Sequence, residues 1–211
     1  MKKIMLTILV TGICIIAALV AYNHDAFRQY LHLETDLEAS TVDTDAGTSS
    51  EYKYPEFYRG LYLNSYSGRK FEKLSSFIEQ AKKANFNTVV IDVHSGKNNR
   101  CIIPEKNVEY VLSKGFHPIA RIVVFPDGLR KYPVPKQYTS SKIEIAKQAA
   151  SIGFKEIQFD YIRFNDHGHL KHIGLEKRYE LVEGFLREAR EALKDYNVKT
   201  AADIFGRIPL N

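Results

Sequence analysis

The sequence lacks tryptophan altogether and has only two cysteines and two methionines among 211 residues. Cys14 lies inside an apolar N-terminal run, far from Cys101, so no disulfide framework is available, and no Cys/His spacing of the zinc-binding kind occurs. A glycine-rich phosphate loop is missing too. Asn64-Ser65-Tyr66-Ser67-Gly68, which follows the first predicted strand, lacks the dinucleotide fingerprint. No recognised nucleic-acid motif is present. The lysines and arginines alternate with glutamates along stretches such as Glu176 to Lys194, the pattern of a solvated helix face. No cofactor is implied, and nucleic acid is not an expected partner.

Charge of one sign is missing from residues 34–51, which hold six acids and no lysine or arginine. With the polar run Ser40 to Ser50, this stretch has too little apolar surface to offset the entropy of ordering it. Residues 23–54 therefore read as an acidic Ser/Thr-rich linker. Up to Glu51 there are three basic side chains (Lys2, Lys3, Arg28) against seven acidic ones, so the remainder is more basic than the net +5 of the whole chain. Such a surface favours anionic polymers, acidic glycans among them.

Ahead of the linker, Lys2 and Lys3 precede Ile4 to Tyr22, 19 residues without a charge, long enough to span a bilayer. The run ends Ala18-Leu19-Val20-Ala21, with bulky Leu19 where a signal-peptide cleavage site needs a small residue. Ile13 before Cys14 likewise departs from a lipoprotein signal. Residues 1–22 read as an uncleaved membrane anchor, with a cleaved signal segment as the alternative. The basic end stays inside by the positive-inside rule. The expected location is the bacterial cell membrane, single-pass with an extracytoplasmic domain, or outside the cell if the segment is cleaved.

From residue 55 to 211 strand and helix patterns alternate. Strands are expected at Gly60–Leu63, Thr88–Val93, His117–Phe125, Glu156–Phe164 and Thr200–Phe205. Helices are expected at Lys70–Asn85, Pro104–Ser113, Ser140–Ile152 (capped by Ser140 or Ser141 and closed by Gly153) and Glu176–Tyr196. Alternation of this kind means βαβ units and a parallel sheet, either doubly wound or a (β/α)8 TIM-type barrel. Asp92, Asp160 and Asp203 all fall near the carboxyl ends of strands, where barrel enzymes build their sites, so the barrel is preferred. A full barrel takes about 250 residues. Five strands are read here, so a partial barrel is expected, either the amino-terminal part of a longer protein or the product of an interrupted gene.

The most informative segment is GFKEIQFDYIRF, Gly153 to Phe164. Gln158 and Asp160 alternate with Ile157, Phe159 and Tyr161, which puts an amide and a carboxylate on one face of an apolar strand. Three carboxylates on the second, fourth and fifth strands would meet at one barrel rim. Paired carboxylates are the working parts of most glycoside hydrolases, one protonating the leaving group and the other attacking the sugar or activating water. Asp160 is the candidate nucleophile or base, and Asp203 the candidate acid or a substrate ligand. Arg121, in mid-strand, is the counter-charge for the cluster. Asp92 shares its face with Val90 and His94. Arg163 faces away from Asp160 on a straight strand and joins the site only if the strand ends near Tyr161. Together with Asp92, Arg121 and Gln158, Tyr62, Tyr161 and Arg163 complete the candidate substrate contacts. Capping of a turn is the competing reading for Asp92, Asp160 and Asp203, with pairing to Arg163 for stability a further one for Asp160, and structural ion pairing that for Arg121. His167, His169 and His172 have metal-like spacing, but without a fixed acidic or thiol partner they read as a solvated loop, and no metal is expected.

Arg59 to Leu63, Asn87 to Val93, Ala120 to Phe125 and above all FDYIRF resemble the family of bacterial exported proteins catalogued as a "putative glycoside hydrolase domain", once a domain of unknown function. The resemblance runs in order from Tyr58 to about Gly206. It implies a (β/α)8 barrel with Asp160 at the position of a catalytic carboxylate and a polysaccharide or oligosaccharide as substrate. The chain departs from the family pattern in several places. His94-Ser95-Gly96 stands where an acidic stretch follows Asp92. Asn165 replaces a proline. The Pro126 to Thr139 connection is short and has no tryptophan, which leaves Tyr132 and Tyr138 as the sugar-stacking platforms there. Two alternatives to an active hydrolase follow: a glycan- or envelope-binding barrel without turnover, and an inactive truncated product.

Overall fold

Short runs of β-branched and aromatic residues form five parallel strands, each followed on the chain by helix until the last. They are β1 (Gly60–Leu63), β2 (Thr88–Asp92), β3 (His117–Val123), β4 (Glu156–Asp160) and β5 (Lys199–Ala202). The computed structural model describes residues 52–96, 99–126, 128–129, 131–164 and 169–203. Apart from Tyr52, these belong to one unit that begins at Lys53. The strands lie in the order β1-β2-β3-β4-β5. A doubly wound sheet reverses its strand order at a switch point, so this sequential order defines the barrel type. The described residues form a five-stranded partial (β/α)8 barrel. Among them no helix is long and apolar enough to cross a membrane, and the apolar run 4–22 lies outside them.

Strand alternation separates two faces. Val89, Ile91, Ala120, Ile122, Ile157 and Phe159 point to the helix side and are buried. There they meet α2 (Phe71–Lys83), α3 (Glu105–Ser113), α4 (Lys136–Ser151) and α5 (Leu175–Ala192), which contribute Leu74, Ile78, Val108, Val111, Ile145, Ala149, Phe185 and Ala189. Phe159 and Phe185 meet edge to face at 5.2 Å. Residues of the opposite parity, Tyr62, Asp92, Arg121, Gln158 and Asp160, share the inner face.

A short helix, α1 (Ser65–Arg69), which is not among the elements expected from the sequence, lies between β1 and α2, with the Asn64 side chain accepting from the Ser67 N–H. Gly68 lies against β2 so closely that a Cβ would stand 2.3 Å from Ile91 Cγ2. Fully buried Asn107 of α3 donates to the carbonyls of Gly68 (2.8 Å) and Arg69 (3.1 Å), tying the two helices together.

Other boundaries also differ from expectation. α4 begins at Lys136, directly after Pro135, rather than at a serine cap. Proline's fixed φ suits a helix start, and Ser141 lies within the helix, bonding the Tyr138 carbonyl at 2.7 Å. β3 stops at Val123, β5 at Ala202 and β4 at Asp160 rather than Phe164. Tyr161 takes φ = 56°, which no strand accommodates.

The amino ends of the strands are closed by the segment before β1. Tyr58 OH donates to Glu156 Oε2 at 2.9 Å, and its ring stacks on buried His117 at 5.0 Å. His117 Nε2 lies 3.2 Å from the same Glu156 oxygen. Tyr54 sits edge-on to His117 at 5.5 Å, under the Lys199 ammonium of β5. Burial pushes the Glu156 carboxyl up, but its bonds to His117 and Tyr58 outweigh this and hold it below the ordinary carboxylate range. A depressed carboxyl stabilises the fold above its unfolded pKa of about 4.3, and that stabilisation disappears as pH falls through the folded value. Thermal unfolding of the full chain is expected to show a shallower acid limb in Glu156→Gln than in wild type. Gly68→Ala is expected to destabilise by about 1–3 kcal/mol through overpacking against Ile91, read as a lower denaturant midpoint.

Candidate active site

Parallel register brings the polar inner-face residues to one rim. Asp92, the last residue of β2, lies opposite Arg121 of β3. Arg121 lies opposite Gln158, and Val123 opposite Asp160, the last residue of β4. Arg121 thus reaches both flanking strands. Its Nη1 donates to Asp92 Oδ1 at 2.6 Å, while Nε (2.9 Å) and Nη2 (2.5 Å) both donate to Asp160 Oδ2. The remaining oxygens are also engaged. Asp92 Oδ2 accepts from Tyr62 OH at 2.5 Å, and Asp160 Oδ1 from the Tyr161 N–H at 2.6 Å. The guanidinium lies 5.6 Å from the Tyr62 ring centre.

The three ion-paired side chains are only 18–20% exposed, so solvent screens them weakly. Burial works against the Arg121 charge, but hydrogen bonds to Asp92 and Asp160 outweigh it and push its pKa above the ordinary value. The Tyr62 phenol is pushed up to about 12, first by burial and then by its bond to Asp92. Tyr161 contributes through its backbone. It is a non-glycine residue with positive φ, a strained conformation, and its N–H donates to the Asp160 carboxylate just before it.

Asp203 stands one residue past β5, its N–H bonded to the Phe159 carbonyl at 2.9 Å. Its Oδ1 accepts from Gln158 Nε2 at 2.6 Å. The cluster therefore has two parts, with Arg121 serving Asp92 and Asp160 while Gln158 serves Asp203. Arg163 follows the end of β4, half-buried, and its carbonyl accepts from the Leu129 N–H at 2.8 Å. The parity objection to Arg163 lapses because the strand ends at Asp160.

Two buried groups beside the rim do not announce themselves in the sequence as a pair. His94 is 9% exposed, with Nε2 lacking a partner among the described residues, and burial, followed by the Lys142 charge, holds its pKa below the ordinary value. Lys142, 5% exposed, carries its ammonium 5.4 Å from the Tyr138 ring centre, and burial lowers its pKa. The i,i+4 spacing of Tyr138 and Lys142 is the one available signal. Tyr138 OH donates to the Val124 carbonyl at 2.6 Å, and its ring stacks on Phe125 at 5.9 Å. These rings wall an apolar cleft of about 380 Å³ with Leu129, Val134 and Pro135. The Val124 and Phe125 amides bond the carbonyls of Asp160 and Tyr161, which joins the cleft wall to β4. Tyr132 is partly exposed beyond it. Among the described residues no group of three or more His, Cys, Asp or Glu side chains could hold a metal. His167 lies outside them.

Fold and rim define a (β/α)-barrel domain with its polar groups gathered at the carboxyl ends of the strands. Residues 132–211 match the model of the family described as "Putative glycosyl hydrolase domain", which bears out the resemblance carried by FDYIRF. A hypothetical protein from Ruminiclostridium thermocellum ATCC 27405 matches with 25% identity and a TM-score of 0.54, over 70% of this chain and 99% of that one. An L-ribulose 3-epimerase (13% identity, TM-score 0.50) and a D-psicose 3-epimerase from Clostridium cellulolyticum H10, solved with D-tagatose (14%, 0.51), match over 70% and 72% of this chain. The chain covers 50% and 53% of those two enzymes, about half their length, and at such identity they show the fold alone. No curated protein sequence matches.

Arg121→Lys tests the clamp. One ammonium cannot reproduce a forked guanidinium bonded to two carboxylates, so a loss of about 1–3 kcal/mol is expected, read from the denaturant midpoint. An unchanged midpoint would mean that the bridge contributes nothing to the fold.

Proposed function

We propose that this chain is a glycoside hydrolase domain that cleaves a glycosidic bond in a glycan outside the cytoplasm. The observation that carries the reading is the rim itself. Asp160 and Asp203 stand at the ends of adjacent strands in a chain whose last 80 residues match a glycosyl hydrolase domain model. Asp160 is oriented as an acceptor, since both of its oxygens receive hydrogen bonds. That suits a nucleophile, which attacks the anomeric carbon, or a base, which takes a proton from an attacking water. Asp203 supplies the proton to the departing oxygen as the glycosidic bond breaks, or holds the sugar there. Arg121 keeps Asp92 and Asp160 in place. Asp92, Tyr62, Tyr161 and Arg163 provide polar and aromatic contacts to sugar hydroxyls and ring faces, whereas the Gln158 amide is turned to Asp203. Residues 1–22 serve as membrane anchor or signal segment and 23–54 as a linker to the domain, which puts the rim outside the cell membrane.

One observation favours a second reading, a glycan-binding barrel without turnover. All four oxygens of Asp92 and Asp160 are already engaged, so an attacking Asp160 must first give up part of its bonding to Arg121.

Release of reducing sugar ends from cell-envelope glycans by the full chain separates the two readings. Asp160→Asn is expected to lower the rate at least about a hundredfold with the fold intact, as loss of a positioned catalytic carboxylate does. Equal rates in the two proteins would remove Asp160 from the chemistry. Glycan binding without hydrolysis, equal in both, would favour the binding barrel.

A further inference from the structure

Gln158 stands between the two halves of the rim. In register it lies opposite Arg121 on one side and Ala201 on the other. Ala201 offers only a methyl group, which leaves room for the Gln158 amide to reach Asp203, two residues further along the same strand direction. The bond is short, 2.6 Å from Nε2 to Oδ1. Its consequence lies at the other end of the amide, where Oε1 is buried with no donor among the described residues. A buried acceptor without a donor destabilises a fold, whereas an apolar side chain of the same shape at that position would not. Turning the amide over would bring its oxygen against the Asp203 carboxylate, acceptor facing acceptor. Asp203 therefore dictates the amide orientation, and the orphaned carbonyl follows from it.

Asp203 depends on this bond in turn. It sits just past the four-residue β5, and among the described residues Gln158 Nε2 is the side-chain donor its carboxylate has.

We propose that Gln158 is a positioning residue: it fixes the carboxylate of Asp203 for the reaction at the rim, and its unpaired carbonyl is the structural consequence. The proposal rests on the hydrolase reading, in which Asp203 is a working carboxylate. A residue kept for packing alone would be improved by making it apolar, with no effect on chemistry.

The test uses two variants of the full chain. Gln158→Met keeps length and volume but removes both the orphaned acceptor and the bond to Asp203. Its melting temperature is expected to be unchanged or raised by up to about 4 °C. Its kcat is expected to fall by about tenfold to a hundredfold, as a displaced catalytic group allows, with KM changed less than twofold. Gln158→Glu is the conditional rescue. Once protonated, the introduced carboxyl can donate to Asp203 as the amide does, while two ionised carboxylates repel. On the same face, register places Asp92 on β2, Arg121 on β3, Asp160 and Glu156 on β4 and Lys199 on β5, with Asp203 just past β5. Activity of Gln158→Glu is expected to recover as pH falls, displacing its pH profile to the acid side of wild type. A lower melting temperature with unchanged kcat in Gln158→Met, or a Gln158→Glu profile that overlays wild type, would overturn the proposal. A wild-type chain that hydrolyses no glycan overturns the hydrolase reading instead. The Gln158–Asp203 coupling is then read from unfolding of Gln158→Met, Asp203→Ala and the double variant. Additive effects would overturn the coupling, and non-additive effects would support it.

Discussion

A single guanidinium held between two carboxylates on the parallel strands that flank its own is the contact on which this site depends. Arg121 is placed mid-rim by sheet register, and it lets Asp92 and Asp160 stand close together in a weakly solvated position. Without the cation, two like charges at that spacing would repel, and each would have lost hydration with nothing in return. Register makes the contact possible. A slip of one residue in β3 would turn Arg121 to the helix side, into the layer of Ile91 and Ile157, and empty the rim of its cation. The apolar face packed by the helices therefore protects the polar one, because burial of Val89, Ile91, Ile157 and Phe159 fixes which residues face inward.

The two ends of the strands use polar groups differently. At the amino ends, Glu156, His117, Tyr58 and Tyr54 form a closed cluster of mutually satisfied, mostly buried groups whose effect is on stability. At the carboxyl ends the groups are partly exposed, and the arrangement carries penalties, namely a non-glycine residue at positive φ in Tyr161 and, in Gln158, a buried carbonyl without a donor among the described residues. Penalties of this sort persist when surrounding packing over-determines them, and they concentrate at functional sites. That asymmetry matches the division of labour known for barrels, with chemistry at the carboxyl end and stability at the amino end.

Much of this is legible in the sequence, because strand parity alone puts Asp92, Arg121, Gln158 and Asp160 on one face. The order of strands and the helix between each pair also follow from hydrophobic periodicity. What parity cannot show is the partition of the rim. It makes Arg121 the counter-charge for the whole cluster, whereas Asp203 is held by Gln158, an outcome that depends on side-chain reach across Ala201. The early end of β4 is hidden because nothing in Tyr161 itself signals a left-handed backbone. The start of α4 is masked because Ser140 and Ser141 are the better-known capping residues, while Pro135 sets the helix start. The closure beneath the strands is invisible, since Tyr54 and Tyr58 meet partners about a hundred residues away in the chain.

That Arg121 joins Asp92 and Asp160 into one unit is the central claim, and a double-mutant cycle on unfolding free energy measures it directly. Asp92→Ala, Asp160→Ala and the double variant are compared in the full chain, with Arg121 present throughout. If the guanidinium couples the carboxylates, the second removal acts on a bridge already broken, and the effects should depart from additivity by about 0.5–3 kcal/mol. Additive losses would show two carboxylates that share a rim without sharing a partner, and would contradict the clamp.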